Sequence, residues 1–586
     1  MYQVFVTDDI GGLDFSPKTI LIILLSVISV FLFFQIISTV FSYNKKHLVA
    51  ANIFTLFLYS TLVAYHFGAQ ELLNWSVLSD NITIAFSTEA ADVIWSSLDP
   101  NAFLYFLAFA AIFLGMEKWK KTMSKAKQEH PLRLKIAIGL IIYLIFIFIP
   151  IDSFDPFVNF FRSVAHHYIS PVKIDLQKDK FLPLNDGKAF ANLKLNIKKK
   201  PNVFLIVIES LNASSLGKAS DSGKAYTPFM NKLSKDSVYV KRFYGNSIQT
   251  AKGHFATYFS VIPSVTGKSF VKHKELKLDS IASILKRAGY DTTYFIAHRD
   301  KNFDNEYNFL TSRGYDDFLS VEDYLKAEDS EKRLTWGVED SVFYKRFFDY
   351  FDSQDIKSPQ FVTLVTIANH FPFKSASEER RFVYKNPKTF EENYANSIHL
   401  VDLGLKTFFA ELKKRGLAKN SIVIITGDHA YPLGEHNNYH LEAGFNEESF
   451  RTPLFLLWPN KIKPQVIKTA YSQMDIAPTI VDLLNLKIGK NNFQGTSIFA
   501  KNQKPVFLIQ PYGKHLEIVS YPFKYRYFDK TNQEFVYNLQ KDPMETTNII
   551  SSLEQEKIAF FRKNLRRIYY NQYLIKNNLF WDENCN

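Results

Sequence analysis

One cysteine, Cys585, stands among 586 residues, and it is the second-last of them. No intramolecular disulfide can form, and no cysteine metal site or cysteine nucleophile fits a core. An extracytoplasmic domain would then draw its stability from a large apolar core, which residues 201–550 are long enough to supply. Also lacking are an arginine-rich stripe and any zinc-ligand spacing, so the formal charge of +12 does not indicate nucleic-acid binding. No internal repeat or low-complexity tract is present. Residues 68–101 contain no lysine or arginine, although they hold Glu71, Asp80, Glu89, Asp92 and Asp99.

That gap in basic charge falls between four apolar runs, 20–41, 48–67, 102–116 and 136–151. The first two approach the ~20 residues a helix needs to cross a bilayer, and the last two borrow flanking residues. None has a polar face, which argues against buried core helices, and a cleaved signal peptide would explain one run but not four. Lys45 and Lys46, then Lys118, Lys120, Lys121, Lys125, Lys127, Arg133 and Lys135, mark cytoplasmic loops. Four crossings place everything after Pro150 outside. A fifth crossing through 82–98 would move the N-terminus inside but leave the large domain outside. The expected organisation is a transmembrane domain of four or five helices (1–151), a juxtamembrane connector (152–200), an extracytoplasmic domain (201–550) and a C-terminal helical tail (551–586). The connector ends in Lys198-Lys199-Lys200, either a solvated hinge or a contact for anionic lipid head groups.

From Pro201 the texture becomes α/β. Short β-branched runs at 203–208, 292–296, 361–367, 421–426 and 454–458, and a strand-like stretch at 238–244, alternate with helix-like segments such as 281–288 and 394–414. Continuous apolar strands are buried on both faces, as a mostly parallel sheet covered by helices requires. Run 203–208 leads into Glu209, and run 421–426 leads into Gly427-Asp428-His429. Ligands of open α/β sheets bind beyond the carboxyl ends of strands, so these side chains converge if the strands are neighbours. Thr250 follows run 238–244 at an expected helix N-terminus, where backbone amides favour an anion. Glu, Asp and His form a hard, mixed oxygen and nitrogen set for a divalent ion, which would activate a threonine hydroxyl as nucleophile. Taken singly, an Asp-His pair reads equally as a structural cap, and a loop threonine as an N-cap.

Glu209, Thr250 and Thr426-Gly427-Asp428-His429 together resemble the metal and nucleophile set of lipoteichoic acid synthases and phosphoethanolamine transferases. Arg451-Thr452-Pro453 and Met474-Asp475-Ile476-Ala477-Pro478-Thr479 are similar to the sulfatase core, and Tyr537-Asn538-Leu539 with Asp542-Pro543-Met544-Glu545 and Asn548 to its C-terminal strand and turn. The resemblance implies an α/β domain of the alkaline phosphatase and sulfatase type, with a mostly parallel central sheet and a small antiparallel C-terminal sheet. It implies Glu209, Thr250, Asp428 and His429 as metal ligands, manganese first and zinc or magnesium as alternatives, with Thr250 the nucleophile. No cysteine stands near 250, which excludes the formylglycine route of sulfatases.

Gly427 before Asp428, and the block from Gly289-Tyr290 to Phe318 with Gly314-Tyr315-Asp316, look closer to the lipoteichoic acid synthases, whose donor is phosphatidylglycerol. The acceptor would be a glycan or a lipid. His370 in Ala368-Asn369-His370-Phe371-Pro372 resembles a phosphate-binding histidine and His440 a second one, while His436 reads equally as an ordinary surface residue. Trp336-Gly337 and Asp340 resemble another shared block, although packing explains the Trp equally. The chain departs from that branch where an aromatic-Asn-Arg triplet is replaced by Asp304-Asn305-Glu306. Asn305 remains an expected substrate contact. Arg299 would replace the missing guanidinium, or the acidic pair would favour an ammonium-bearing head group. Phosphoethanolamine transfer and a non-catalytic lipid sensor are the rival expectations.

Overall fold

A computed structural model describes the helix Pro156–Ile169 and residues 189–581, apart from 374–376, 442–443, 502–503, 513–514 and 530, together with scattered single positions before 156. The four apolar runs, the possible fifth crossing and the charged loops between them lie outside the described residues. No helix among the described residues is long and apolar enough to cross a membrane. The chain divides into two compact units, residues 1–172 and 173–586.

The second unit is built on an eight-stranded sheet of β1 (Asn202–Ile208), β2 (Val238–Tyr244), β3 (Asp291–Ile296), β4 (Asp317–Ser320), β5 (Gln360–Val365), β6 (Ser421–Gly427), β7 (Leu454–Leu457) and β8 (Gln465–Ser472). Their order is β4-β3-β5-β1-β6-β7-β2-β8, and only β7 runs against its neighbours. Four further strands, β9 (Val506–Gln510), β10 (His515–Ser520), β11 (Phe523–Phe528) and β12 (Gln533–Asn538), form an antiparallel sheet, followed by the helix Gln555–Asn577.

Strand side chains alternate between faces, so an unbroken apolar strand must be covered on both. In β1, Val203, Leu205 and Val207 enter one hydrophobic cluster, and Phe204, Ile206 and Ile208 enter another on the opposite face. Phe204 alone meets Phe347, Phe351 and Phe408 at ring-centroid distances of 6.2, 6.3 and 5.7 Å. Burying one such ring contributes about 1.5–3 kcal/mol.

Helix Phe390–Lys414 begins four residues before the expected 394, because Thr389 and Glu392 form a reciprocal capping box that satisfies amides of the first turn. Further along it, Asp402 accepts from the amides of Phe229 (2.8 Å) and Met230 (2.7 Å), capping the helix Pro228–Asp236 from a distance in sequence. β5 stops at Val365 rather than 367: the next amide, Thr366, still reaches Val207 (3.0 Å), while its hydroxyl accepts from the amide of Glu209 (3.3 Å).

Candidate active site

β1 and β6 are adjacent and parallel, with Ile208 opposite Gly427. Glu209 and Asp428 therefore leave the sheet side by side, and the Asp428 amide still bonds to the Ile208 carbonyl at 3.1 Å. Ser210 turns the chain with a left-handed φ of +50°, a conformation uncommon for a residue with a side chain. The turn directs its amide to Asp428 Oδ1 (2.8 Å) and its hydroxyl to Glu209 Oε1 (2.6 Å). The amide of Asn369 and the hydroxyl of Tyr394 both donate to the Ser210 carbonyl, at 3.0 and 2.9 Å, which holds the turn in place.

The polarity of the resulting cluster is one-sided. Asp428 Oδ1 accepts from the amides of Ser210 and His429, and Oδ2 is buried without a partner. His429 places Nδ1 at 2.8 Å from the Ala430 carbonyl, an acceptor, which fixes the proton there and leaves the lone pair on Nε2. That Nε2 lies 3.4 Å from Asp428 Oδ2, 3.6 Å from Glu209 Oε1 and 3.4 Å from Thr250 Oγ1. Glu209, Asp428 and His429 each offer a ligand atom within 4.8 Å of the others, and all three are buried. Burial, and then the Asp428 carboxylate, push the Glu209 carboxyl well above its usual range, while the Ser210 hydroxyl opposes them. Two buried carboxylates and an imidazole lone pair packed together need positive charge among them, and the donor set fits a divalent cation.

Thr250 is the first residue of the helix Thr250–Phe259, whose N-cap, Gln249, makes no side-chain cap. The first two amides of the helix, those of Thr250 and Ala251, are thus available to an anion held against the threonine, while the amides of Lys252 and Gly253 donate to the Gln249 carbonyl (3.0 and 2.9 Å). The helix abuts the loop that carries Asp428 and His429 at Gly253, where a Cβ would stand 2.0 Å from the Asp428 carbonyl oxygen. Gln473 ties the layers together, donating to the carbonyls of Gly427 (2.8 Å) and Asp428 (2.6 Å) and accepting from the Asn246 amide (2.9 Å).

The other expected site residues fall in different places. His370 lies at the rim, its ring 4.7 Å from that of Trp336, and Nδ1 is 2.7 Å from the Phe371 carbonyl. Burial lowers its pKa to about 4; His298, His429 and Asp428 also act on it, so it is a neutral histidine beside the cluster. His298, Phe303, Trp336 and His370 pack, tilted or edge to face, into one wall of rings. Trp336 thus belongs to the rim, and Gly337 allows its segment to approach the Ala297 carbonyl, where a Cβ would clash at 1.9 Å. Burial pushes Asp340, at the start of the helix Asp340–Ser353, up to about 7. His440 is half-buried and lowered to about 4 by burial, and its backbone amide is held by Asn438.

Arg299 is exposed and donates to the Leu334 carbonyl (2.9 Å). Asn305 donates to the Phe270 carbonyl (2.7 Å) and accepts from Asn308 (2.9 Å). Both side chains thus bond to groups of the surrounding fold. The acidic pair is likewise engaged: Asp304 bonds Lys268 (2.8 Å), and Glu306 bonds His254 (2.6 Å) and the Tyr294 hydroxyl (3.1 Å). His436 bridges Glu448 (2.8 Å) and the Met544 carbonyl (2.8 Å), which is more than an ordinary surface residue does. Sequence reasoning missed Ser210, Gln473 and His254. Gln473 adjoins the Met474 block and Ser210 follows Glu209, but Gly427 and Asp428, which they hold, and Glu306, which meets His254, are distant in sequence.

The sulfatase family model matches residues 201–486, and a model described as N-sulphoglucosamine sulphohydrolase, C-terminal, matches 434–570. A lipoteichoic acid synthase of Staphylococcus saprophyticus is 26% identical over 564 residues, covering 88% of this chain and 83% of that protein. Among solved structures, a lipoteichoic acid synthase from Listeria monocytogenes superposes with a TM-score of 0.58 at 21% identity, covering 67% of this chain and 98% of that one. A protein of the alkaline phosphatase superfamily from Vibrio parahaemolyticus gives 0.57 at 19% identity, covering 70% and 98%. With the sheet order, the antiparallel C-terminal sheet and the Glu-Asp-His cluster at the strand ends, these matches make the chain a lipoteichoic acid synthase-like member of the alkaline phosphatase superfamily.

Proposed function

We propose that the protein is a membrane-anchored, divalent-metal-dependent transferase. It moves a phosphoglycerol head group from phosphatidylglycerol to a glycan or lipid acceptor on the extracytoplasmic side of a bacterial cell membrane. The observation that carries this reading is the convergence of Glu209, Asp428 Oδ2 and His429 Nε2 beside the hydroxyl of Thr250, at a helix N-terminus with uncapped amides. The name of the staphylococcal relative supports the choice of reaction.

A divalent cation, manganese first and zinc or magnesium as alternatives, would be held by Glu209, Asp428, His429 and Thr250, where it lowers the pKa of the threonine hydroxyl and offsets phosphoryl charge. Deprotonated Thr250 Oγ attacks the donor phosphorus. The Oγ–P bond forms as the P–O bond to diacylglycerol breaks, and the departing alkoxide takes up the equivalent of the proton that Thr250 lost. The acceptor hydroxyl then attacks the same phosphorus, giving up its proton as Oγ leaves and is reprotonated. The helix amides at Thr250 hold the non-bridging oxygens, and neutral His370 at the rim accepts or donates a hydrogen bond without adding charge.

The engagement of Asp304 by Lys268, and of Glu306 by His254 and Tyr294, removes the one local reason to expect an ammonium-bearing head group. The four intact site residues speak against a non-catalytic sensor. In phosphatidylglycerol vesicles with manganese, the protein should release diacylglycerol. Thr250→Ala should abolish release, and Thr250→Ser should retain part of it, since only the hydroxyl reacts. Unchanged release by Thr250→Ala rejects the nucleophile.

A further inference from the structure

His254 stands one helical turn after Thr250, and its contacts are arranged as if for use. The side chain is 1% exposed. Nδ1 lies 2.6 Å from Glu306 Oε1, and the other carboxylate oxygen of Glu306 accepts from the Tyr294 hydroxyl at 3.1 Å. Nε2 is buried and has no partner. A buried polar atom left unpaired in a native fold calls for an explanation, because desolvating it is costly.

The chain takes trouble to build this pair. Asp304 and Asn305 are consecutive residues in the left-handed region, with φ of +52° and +62°. Such strain in residues with side chains persists only where the surroundings impose it, and it concentrates at functional sites. Here the neighbours impose it at both positions: Asp304 is tied to Lys268, and Asn305 to the Phe270 carbonyl. The result delivers the Glu306 carboxylate to the ring of His254. Burial opposes a charge on that ring, but the Glu306 carboxylate, with Asp428 and Asp304 further off, more than offsets it and raises the pKa above the ordinary histidine value. With Nδ1–H given to Glu306, a protonated ring carries its second N–H on Nε2.

Residues four apart on a helix share a face, with Cβ atoms about 5–6 Å apart, and their side chains lean toward the N-terminus. The imidazole of His254 therefore leans over the turn that begins with Thr250. A phosphoryl group esterified to Thr250 Oγ brings its non-bridging oxygens into that space. We propose that His254, oriented by Glu306 and Tyr294, is a phosphoryl-binding residue whose Nε2–H donates to a non-bridging oxygen of the group carried on Thr250. Glu306 and Tyr294 are positioning residues that act through it. This assignment rests on Thr250 being the nucleophile.

Two substitutions divide the ring's two contacts. His254→Asn retains an amide where Nδ1 stood and removes the reach of Nε2; His254→Gln retains a donor near Nε2 and gives up Glu306. Full-length protein in phosphatidylglycerol vesicles with manganese would be followed by first-turnover diacylglycerol release, with thermal midpoint and bound manganese measured on the same samples. His254→Asn should keep its midpoint and its metal while release slows about 10- to 100-fold, the rate equivalent of one charge-assisted hydrogen bond. His254→Gln should unfold at a lower temperature, yet per folded molecule stay within about fivefold of the unaltered protein, since a donor remains. A His254→Asn variant as fast as the unaltered protein, or a His254→Gln variant as slow per folded molecule as His254→Asn, overturns the assignment. Thr250→Ala run in parallel separates the two readings. If it is inactive while His254→Asn is fast, only the role of His254 fails; if it is active, the nucleophile fails.

Discussion

At the scale of single residues, the site depends as much on what is omitted as on what is present. Gly253 has no Cβ, and one there would lie 2.0 Å from the Asp428 carbonyl oxygen, a backbone atom that cannot swing aside. Gly253→Ala must push the Thr250–Phe259 helix away from the loop that carries Asp428 and His429, at a cost of about 1–3 kcal/mol in stability. Its larger expected effect is a loss of bound manganese and of diacylglycerol release, read by metal analysis and by the vesicle assay. Full metal content in a folded Gly253→Ala protein would contradict this packing. Ser210 acts in the other direction: its left-handed backbone is kept because amide and hydroxyl together serve two carboxylates. The cluster was legible in sequence because Glu209 and Asp428 directly follow unbroken apolar strands. The His254–Glu306 pair was not, because its partners are 52 residues apart and meet only through the strained turn at Asp304 and Asn305.

At the scale of elements, the segment carrying Asn438 and His440 is fastened by His436. Both ring nitrogens face acceptors, Glu448 Oε1 and the Met544 carbonyl, so only the doubly protonated ring satisfies both. The hydrogen bond to Glu448 raises the pKa to about 9, against partial burial, and the Met544 carbonyl adds to the rise. A folded-state value above the unfolded one means this stabilisation is complete below about pH 6.5 and is lost as the pH climbs through about 9. Because the ring is partly solvated, screening reduces the contribution to about 1 kcal/mol. The thermal midpoint of the unaltered protein should therefore fall more between pH 7 and pH 9.5 than that of His436→Gln. Parallel falls in the two proteins would show that the clamp contributes nothing. Six of the twelve strands, β1, β2, β3, β5, β6 and β7, were legible within two residues of their observed ends, most of them because burial on both faces leaves an unbroken apolar signature; β4, β8 and the strands of the antiparallel sheet were not placed. The early start of the helix at Phe390 was legible only through its capping box, and the long-range cap supplied by Asp402 not at all, since helix propensity carries no record of a partner elsewhere in the chain.

At the scale of the catalytic unit, the lack of disulfides is answered partly by a buried ionic cluster in the antiparallel sheet. Lys524 and Arg526 on β11 face Glu517 on β10, with Glu545 closing the group; Lys524 Nζ lies 2.9 Å from Glu517 and 3.2 Å from Glu545. The Glu447 amide donates to Glu545 (2.8 Å), which joins the sheet to the segment before β7. β9 in turn backs the loop before Thr250: the Ile509 amide reaches the Asn246 carbonyl (2.9 Å), and the Ser247 hydroxyl reaches the Ile509 carbonyl (2.8 Å). The smaller sheet is therefore part of what positions the loop that leads into Thr250. Lys524→Met leaves the buried Glu517 and Glu545 carboxylates with Arg526 alone and should cost about 3–5 kcal/mol, read as a lower denaturant midpoint together with slower diacylglycerol release. An unchanged midpoint would mean that the carboxylates find other partners.

The central claim is that metal-activated Thr250 carries the transferred group, and intact-protein mass spectrometry during the first turnover of phosphatidylglycerol tests it most directly. The account predicts a gain equal to one glycerophosphoryl group, mapped to Thr250, lost on chelation and absent from Thr250→Ala. Diacylglycerol release from a protein whose Thr250 stays unmodified throughout, or an adduct mapped to another residue, would contradict it.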